Sequence, residues 1–373
     1  MGHSYTPGLR VTESARLERE RRLPLRGDVL VRVGDVVEPG TVVARTELPG
    51  NVQIVNLAAK LSIDPAKAVD SLLQPVGSTV AADEPIAFAK GLFGFGRTEV
   101  KAPCSGVIES VSPVTGQLVL REPPIPVEVT AYVSGRVARV LEGEGVVVET
   151  RGAFLQGIFG VGGEACGAIA VPVNTPDAEL QPADLGAEHR GRVVVGGAYV
   201  SYDTLMRARD IGVAAVIVGG FDDGDLKRLL GRDLGVAITG AEQLGFSLVL
   251  TEGFGRIPMA QRTWKLLKQH VGREASVSGA TQIRAGVMRP EVVIPIGDDV
   301  PERAEESGGG LEVGAMVRVI REPWFGRIGR VAALPAELAA LETEALVRVL
   351  EIEFADDRER RIVPRANVER IAP

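Results

Sequence analysis

Residues 313–331 read VGAMVRVIREPWFGRIGRV, and this stretch decides how the C-terminal part of the chain folds. Two short runs rich in valine and isoleucine, Met316 to Ile320 and Ile328 to Val331, flank a corner that contains Pro323 and Gly326. This spacing is typical of a β-hairpin whose turn depends on glycine. The sequence therefore predicts an antiparallel pair of strands near the C-terminus.

The β-pattern continues to the end of the chain. Residues Ala345 to Phe354 alternate as expected for a strand, and residues 361–371 have the pattern of a closing strand. Together these segments resemble the KOW element of the NusG transcription factor and of some ribosomal proteins. The residues that carry the resemblance are Gly314, Val317, Val319, Pro323, Trp324, Gly326, Gly329 and Val331.

The KOW resemblance implies a small SH3-like β-barrel over residues 311–373 that binds RNA polymerase, a ribosomal component or RNA and has no active site. Glu322 departs from the family pattern, which usually has glycine there. Aromatic residues between glycines and arginines often mark a contact patch, so we predict that Trp324 and Phe325 bind a partner together with Arg318 and Arg327. Burial of the two rings inside the barrel is the competing interpretation.

Charge and composition narrow the classes of partner and cofactor. The chain has a net charge of −7, and residues 311–373 contain roughly as many acids as bases, so duplex DNA is not expected as a ligand. A protein partner is favoured, with RNA as a second candidate. Two cysteines and three histidines argue against a zinc site and a disulfide framework. We expect no metal and no cofactor.

The length of 373 residues predicts two or three domains. No apolar run approaches the roughly eighteen residues that a membrane helix needs, and a charged N-terminus does not resemble a signal peptide. These features predict a cytoplasmic protein with no membrane association. Residues 1–22 are predicted to be a charged, solvated lead-in.

Residues 23–171 contain short β-runs separated by glycine, and they predict a mainly β domain with a helical insert near 55–73. The segments Gly34 to Ala44 and Ala102 to Val107 resemble the biotinyl/lipoyl-type barrel-sandwich hybrid, a fold also present in the RNA polymerase β′ subunit and in RnfC. A carrier domain of this type bears a lysine at an exposed hairpin tip. No lysine occupies that place here, so neither biotin nor lipoate is expected; the lysines considered are Lys60, Lys67, Lys90 and Lys101.

The middle of the chain has a different periodicity. Residues 172–190 are rich in proline, aspartate, alanine and glutamate and predict a linker. Residues 190–296 alternate strands and helices, which predicts an α/β domain. Its order of elements is similar to the swivelling domains of phosphohistidine carriers and hydro-lyases, although the carriers' histidine has no counterpart. Residues 297–310 are acidic and glycine-rich and predict a flexible tether.

In open α/β sheets, ligands bind at the carboxyl ends of the strands. At those ends the sequence places Asp222, Asp223, Thr251 and Glu252, which we take as candidates for a ligand site. Paired carboxylates with threonine hydroxyls can hold magnesium or act as acid and base. Ordinary helix-capping and turn roles compete with this interpretation. No histidine, cysteine or lysine joins these residues in the sequence pattern.

Two hypotheses follow from these patterns. The first is a non-enzymatic, multidomain binding protein of the transcription or translation machinery that docks through its C-terminal barrel. The second is an enzyme or enzyme subunit whose α/β domain binds a small anionic ligand, with structural β-domains. The sequence favours the first, because both terminal regions resemble parts used around RNA polymerase.

Overall fold

The computed structural model describes residues 9–90, 97–231, 242, 244–281, 288–297, 311–319, 324, 327–340, 346–355 and 357–370. The described chain is mainly β, and its helices are short. Four clusters of buried apolar side chains form its cores. None of the helices in the described ranges is long and apolar enough to cross a membrane.

Short strands dominate the N-terminal part. They are β1 (Val11–Arg22), β2 (Asp28–Val29), β3 (Val36–Val37), β4 (Val42–Leu48), β5 (Val52–Asn56), β6 (Thr79–Val80), β7 (Pro85–Lys90), β8 (Arg97–Lys101), β9 (Gly106–Val111), β10 (Gln117–Arg121), β11 (Ile125–Thr130), β12 (Gly135–Leu141) and β13 (Gly145–Gln156). A short helix, α1 (Leu57–Leu61), follows β5, and two 3-10 turns cover Pro65–Lys67 and Val69–Ser71.

Two halves of this region pair with each other across a long insert. Strand β4 pairs with β11, and β5 pairs with β10, both antiparallel. The resulting sheets have the orders β11-β4-β2 and β5-β10-β9-β6, with β7 and β8 as a separate hairpin. Helix α1 buries Leu57 and Leu61 against Leu118 and Leu120 of β10, so the predicted insert does pack on the β-structure.

The first strand differs from the predicted lead-in. Residues 1–8 lie outside the described ranges, but β1 pairs with β13 along its whole length. Alternation along β1 buries Leu17 and directs Arg19 and Arg21 inward, where they form ion pairs with Glu291 and Glu164 at 2.7 and 2.6 Å. The partners lie more than a hundred residues away in sequence, so the local pattern of charges could not reveal a strand.

The middle of the chain contains β14 (Phe159–Val161), β15 (Glu164–Ala170), β16 (Glu179–Leu180), β17 (Val193–Val195), β18 (Tyr199–Val200), β19 (Ala215–Phe221), β20 (Ser247–Phe254), β21 (Glu274–Ser278), β22 (Glu291–Pro295), α2 (Tyr202–Ile211), α3 (Asp223–Leu230) and α4 (Gln261–Gln269). Residues 236–239, whose sequence predicts a strand, lie outside the described ranges. The same holds for Gln282 and Arg284, two of three residues that could form a polar recognition face, whereas the third, Arg289, is 10% exposed and forms an ion pair with Glu369.

One thirteen-stranded sheet joins the middle of the chain to the first strands. Its order is β14-β20-β19-β17-β15-β21-β22-β13-β12-β3. In addition, β1 pairs with β13, β18 pairs with β19, and β16 pairs with β18. Strands β15, β17, β19 and β20 run parallel, as predicted for an α/β region. Pairing of β13 with β22 means that this sheet runs through the expected boundary between the N-terminal and middle domains.

Residues 172–190 pack against the sheet instead of forming a free linker. Strand β16 pairs with β18, and Leu180 and Leu185 are buried in the same core as β17 and β19. His189 is also buried, and its Nδ1 accepts a hydrogen bond from the Gly186 amide at 3.1 Å. The polar composition misled the prediction because a few well-spaced leucines suffice to attach an irregular segment to a sheet.

The C-terminal strands are β23 (Met316–Val319), β24 (Ile328–Ala333), β25 (Leu338–Ala340), β26 (Leu346–Phe354), β27 (Arg360–Pro364) and β28 (Val368–Arg370). Strands β23 and β24 form the predicted antiparallel pair. Successive antiparallel pairs give the order β27-β26-β24-β23-β28, and β25 pairs with the start of β26. The predicted closing strand is two strands separated by a 3-10 turn at Arg365–Asn367. The tether at 298–310 lies outside the described ranges.

Candidate functional site

Protein backbone occupies the space beside the glycines at the carboxyl ends of the parallel strands. A Cβ atom placed on Gly219 would lie 2.1 Å from the Ile257 carbonyl oxygen, and one on Gly220 would lie 2.0 Å from that of Gly255. Any side chain at these positions would overlap the crossing chain. Glycine is therefore needed at these positions so that the segment after β20 can pass close to β19. This packing explains the glycines at the strand ends without a bound phosphate.

Asp222 and Asp223 have local roles at the start of α3. The Asp222 carboxylate caps the helix, because it accepts hydrogen bonds from the amides of Gly224 and Asp225 at 2.9 and 3.1 Å. Asp223 is the first helical residue, exposed, at the end where a negative charge interacts favourably with the helix dipole. Among the described residues, neither carboxylate shares a hydrogen bond or an ion pair with Glu252.

Thr251 and Glu252 are buried within β20. The Thr251 hydroxyl donates to the Val218 carbonyl oxygen at 3.4 Å. One Glu252 carboxylate oxygen accepts from the Ala260 amide at 3.0 Å, and the other accepts from Arg318 at 3.2 Å. The Glu252 carboxylate, a predicted ligand group, is therefore bound on both oxygens by the chain itself.

Arg318 is the centre of a buried cluster of charges that joins the C-terminal strands to the α/β region. Its side chain is 2% exposed, and besides Glu252 it binds the Thr251 carbonyl oxygen at 3.1 Å and Glu369 at 3.6 Å. Arg289 forms a second ion pair with Glu369, at 2.6 Å. We call these residues, Glu252, Arg289, Arg318 and Glu369, the junction cluster.

The junction cluster removes Arg318 from the surface predicted to bind a partner. A partner could reach this guanidinium only if β23 and β28 separated from β20. The hairpin pattern placed Arg318 correctly on β23 but carried no information about the face to which it points, because its acids lie 66 and 51 positions away in the numbering. Buried arginine with a carboxylate on either side satisfies the requirement that an interior charge be paired.

At the hairpin corner of the C-terminal strands, Trp324 and Arg327 are partly exposed, Asp357 is exposed, and Phe354 is buried beneath them. Trp324 is half-buried, and its ring lies 6.4 Å from that of Phe354, centroid to centroid. The Arg327 guanidinium lies 3.8 Å from the centroid of the Phe354 ring and 2.7 Å from an Asp357 oxygen. Phe325 lies outside the described residues. We call Trp324, Arg327, Phe354 and Asp357 the aromatic corner.

Asp357 was missing from the predicted contact patch, and so was the buried ring of Phe354 over which Arg327 lies. The Glu359 amide, and then the Arg327 side chain, hold the pKa of the Asp357 carboxyl below its usual value. The ionised carboxylate therefore persists at neutral pH and fixes the guanidinium over the ring. A hydrophobic strand end such as Phe354 gives no local signal that an arginine from another strand will cover it.

Cysteine and metal chemistry have little support in the described part of the chain. Burial and the nearby Glu122 raise the pKa of the Cys104 thiol, and burial and Glu274 raise that of Cys166, so both stay protonated at neutral pH. In the same ranges, no group of three or more histidine, cysteine, aspartate or glutamate side chains is placed to hold a metal ion.

No protein-family model matches this chain, and no characterised protein matches its sequence.

Proposed function

We propose that the chain is a non-enzymatic, multidomain binding protein that docks onto a component of the transcription or translation machinery through its C-terminal unit. The observation that carries the proposal is the strand order β27-β26-β24-β23-β28 together with the surface position of the aromatic corner. RNA polymerase or a ribosomal component is the proposed partner, RNA is a second candidate and duplex DNA is not proposed. The cytoplasm, where both machineries operate, is part of the proposal.

The C-terminal strand order supports an SH3-like barrel of the KOW type. Strands β23, β24, β26 and β27 follow one another as an antiparallel meander, and β28 returns to pair with β23 after a 3-10 turn. Eight fully or nearly fully buried apolar side chains form the core of this sheet. In small β-barrels the loops and corners are the places where a partner can bind.

Aromatic and arginine side chains are the residue types that dominate binding energy at protein interfaces. The aromatic corner presents both, held in place by the Arg327 to Asp357 ion pair of 2.7 Å. A pre-formed arrangement loses less side-chain freedom on binding than a mobile one. Trp324 packs against the core of the C-terminal strands and remains partly exposed, which is the geometry of an interface anchor.

The N-terminal part is proposed to be a barrel-sandwich hybrid that offers a second contact surface. Pairing of β4 with β11 and of β5 with β10 supports this, because two related halves of the chain close on each other. Lys60 lies in α1 and Lys101 lies at the end of β8, so neither is at the tip of a hairpin between the halves. Attachment of biotin or lipoate is not part of the proposal.

The enzyme hypothesis receives less support. Its candidate ligand groups are used within the fold: Asp222 caps α3, and Glu252 binds Ala260 and Arg318. The glycines beside them accommodate crossing backbone. A small anion would have to displace protein groups to reach these positions.

The test is binding of the purified chain to purified RNA polymerase and to purified ribosomes. We expect one of the two to bind, and we expect Trp324→Ala to weaken that binding by about 1–3 kcal/mol, as for an interface anchor. Leu338→Ala is the matched control, because Leu338 is an exposed apolar residue of the same unit on β25. Equal binding by the wild-type chain and Trp324→Ala would remove the aromatic corner from the proposal.

A further inference from the structure

An edge strand of the N-terminal part is unprotected. Strand β5 pairs with β10 on one side and, within the described residues, with no strand on the other. Its sequence, Val-Gln-Ile-Val-Asn, contains no charge, no proline and no glycine. Natural proteins usually protect such edges with charged residues, proline, bulges or a covering element, because a free row of amides and carbonyls pairs readily with another strand.

The longest edge strand among the described residues has the opposite character. Strand β1 pairs with β13 alone and carries alternating arginines and glutamates, with a bulge between Thr12 and Ala15. The edge strand β6 is two residues long. Strands β1 and β6 therefore carry features that hinder pairing with a further strand, and β5 carries none of them.

The exposed face beside β5 is apolar. Val52, Ile54 and Val107 are 43%, 62% and 39% exposed. The register places Val52 and Val107 opposite Arg121, and Ile54 opposite Val119, so these side chains share one face of the sheet. Arg121 pairs with Glu109 at 2.8 Å on the same face, and this neutralises the charge of the face. Exposed apolar patches of this kind are typical of association sites.

The sequence of β5 suits pairing with itself. In an antiparallel pair centred on Ile54, each Val52 lies opposite Asn56 of the second copy, and each Gln53 lies opposite Val55. No like charges meet in this register, whereas in β1 most antiparallel registers place like charges opposite each other. Ile54 lies opposite Ile54 of the second copy at the centre of this register, so that two apolar side chains meet there.

We propose that two copies of this chain associate through β5, so that two four-stranded sheets become one continuous eight-stranded sheet. The contact is isologous and closes on itself, because each copy uses its single unprotected edge in this sheet. The apolar faces of the two copies then lie side by side and bury part of Val52 and Ile54. This association is independent of the aromatic corner and of the proposed docking function.

Sedimentation velocity of the full chain over a range of concentrations tests the proposal. We expect a concentration-dependent species of twice the 39.4 kDa chain mass. Ile54→Lys places two ammonium groups opposite each other at the symmetry axis, and it should raise the dissociation constant at least about tenfold. Because Ile54 is largely exposed, the variant should fold normally, and circular dichroism checks this.

Ile362→Lys is the matched control. Ile362 is also 62% exposed and also lies on an edge strand, β27, but in the C-terminal sheet. The proposal predicts that this variant dimerises like the wild type. Hydrogen exchange gives a readout without mutation, because the amides of residues 52–56 should exchange more slowly at high than at low concentration.

Three results would overturn the proposal: a monomer at every concentration, a dimer that Ile54→Lys leaves unchanged, or loss of the dimer in both lysine variants. A monomer that gains protection at 52–56 only when a different protein is added would assign the edge to that protein instead.

Discussion

Arg318 on β23 and Glu252 on β20 form a buried ion pair of 3.2 Å that joins the C-terminal strands to the α/β region. Arg318 was expected at a surface and Glu252 at a ligand site, yet the structure binds them to each other, 66 positions apart. Asp222 takes the alternative role that the sequence left open, as a helix cap. Local patterns identify caps and strands because their interactions are local, whereas contacts between distant strands depend on how the sheets meet.

Loss of Arg318 should be costly. Arg318→Ala leaves Glu252 and Glu369 buried with one fewer counter-charge, so we expect a loss of about 3–5 kcal/mol in the free energy of unfolding. Denaturant titration followed by tryptophan fluorescence measures it. Arg361→Ala, which removes an exposed ion pair with Glu359, is the control and should cost less than about 1 kcal/mol. Similar costs for the two variants would show that the junction cluster contributes little.

Asp357 should titrate below its ordinary range. Its folded pKa is lowered chiefly by the Glu359 amide and further by Arg327, so ionisation favours the folded state. This contribution is fully present above the unfolded pKa and is lost as the pH falls through the folded pKa. Carboxyl chemical shifts in NMR titrations measure the effect. Arg327→Ala should raise the pKa in part, and an unchanged pKa would show that the ion pair does not form in solution.

At the scale of elements, apolar periodicity predicted helices and strands correctly, whereas polar composition led to wrong predictions for two segments. Helix α2 begins and ends where its cap and apolar spacing place it, with Ser201 before it and Gly212 after it. Strands β23, β24 and β26 follow the predicted alternation. Strand β1 and residues 172–190 were missed because their polar composition is typical of solvent-exposed segments. Strand β1 depends on ion pairs with residues more than a hundred positions away, and residues 172–190 depend on pairing with β18 and on the core of the sheet, which lie outside the segment.

Limited proteolysis tests the packing of residues 172–190. Because Leu180 and Leu185 are buried and β16 pairs with β18, this segment should resist cleavage under native conditions. Leu180→Asp should make it susceptible, since a charge would then lie in the core of the sheet. Glu188→Ala, at an exposed position of the same segment, is the control. Early cleavage of the wild-type chain between 172 and 190 would restore the linker interpretation.

At the scale of the whole molecule, the thirteen-stranded sheet connects the N-terminal and middle regions, and the junction cluster connects the middle and C-terminal regions. The chain therefore presents its surfaces from a continuous framework, and the aromatic corner lies on the C-terminal unit. Sequence resemblance identified candidate units at both ends, while the connections between them required the three-dimensional contacts. A framework of this kind suits a protein that brings partners together.

Affinity purification of the tagged chain from its native cell lysate, followed by quantitative mass spectrometry of the retained proteins, shows whether the chain docks onto the transcription or translation machinery. We expect RNA polymerase or ribosomal subunits to be enriched with the wild-type chain and with Leu338→Ala, and to be depleted with Trp324→Ala. Enrichment of a metabolic enzyme complex by all three proteins, without polymerase or ribosomal subunits, would contradict the docking proposal.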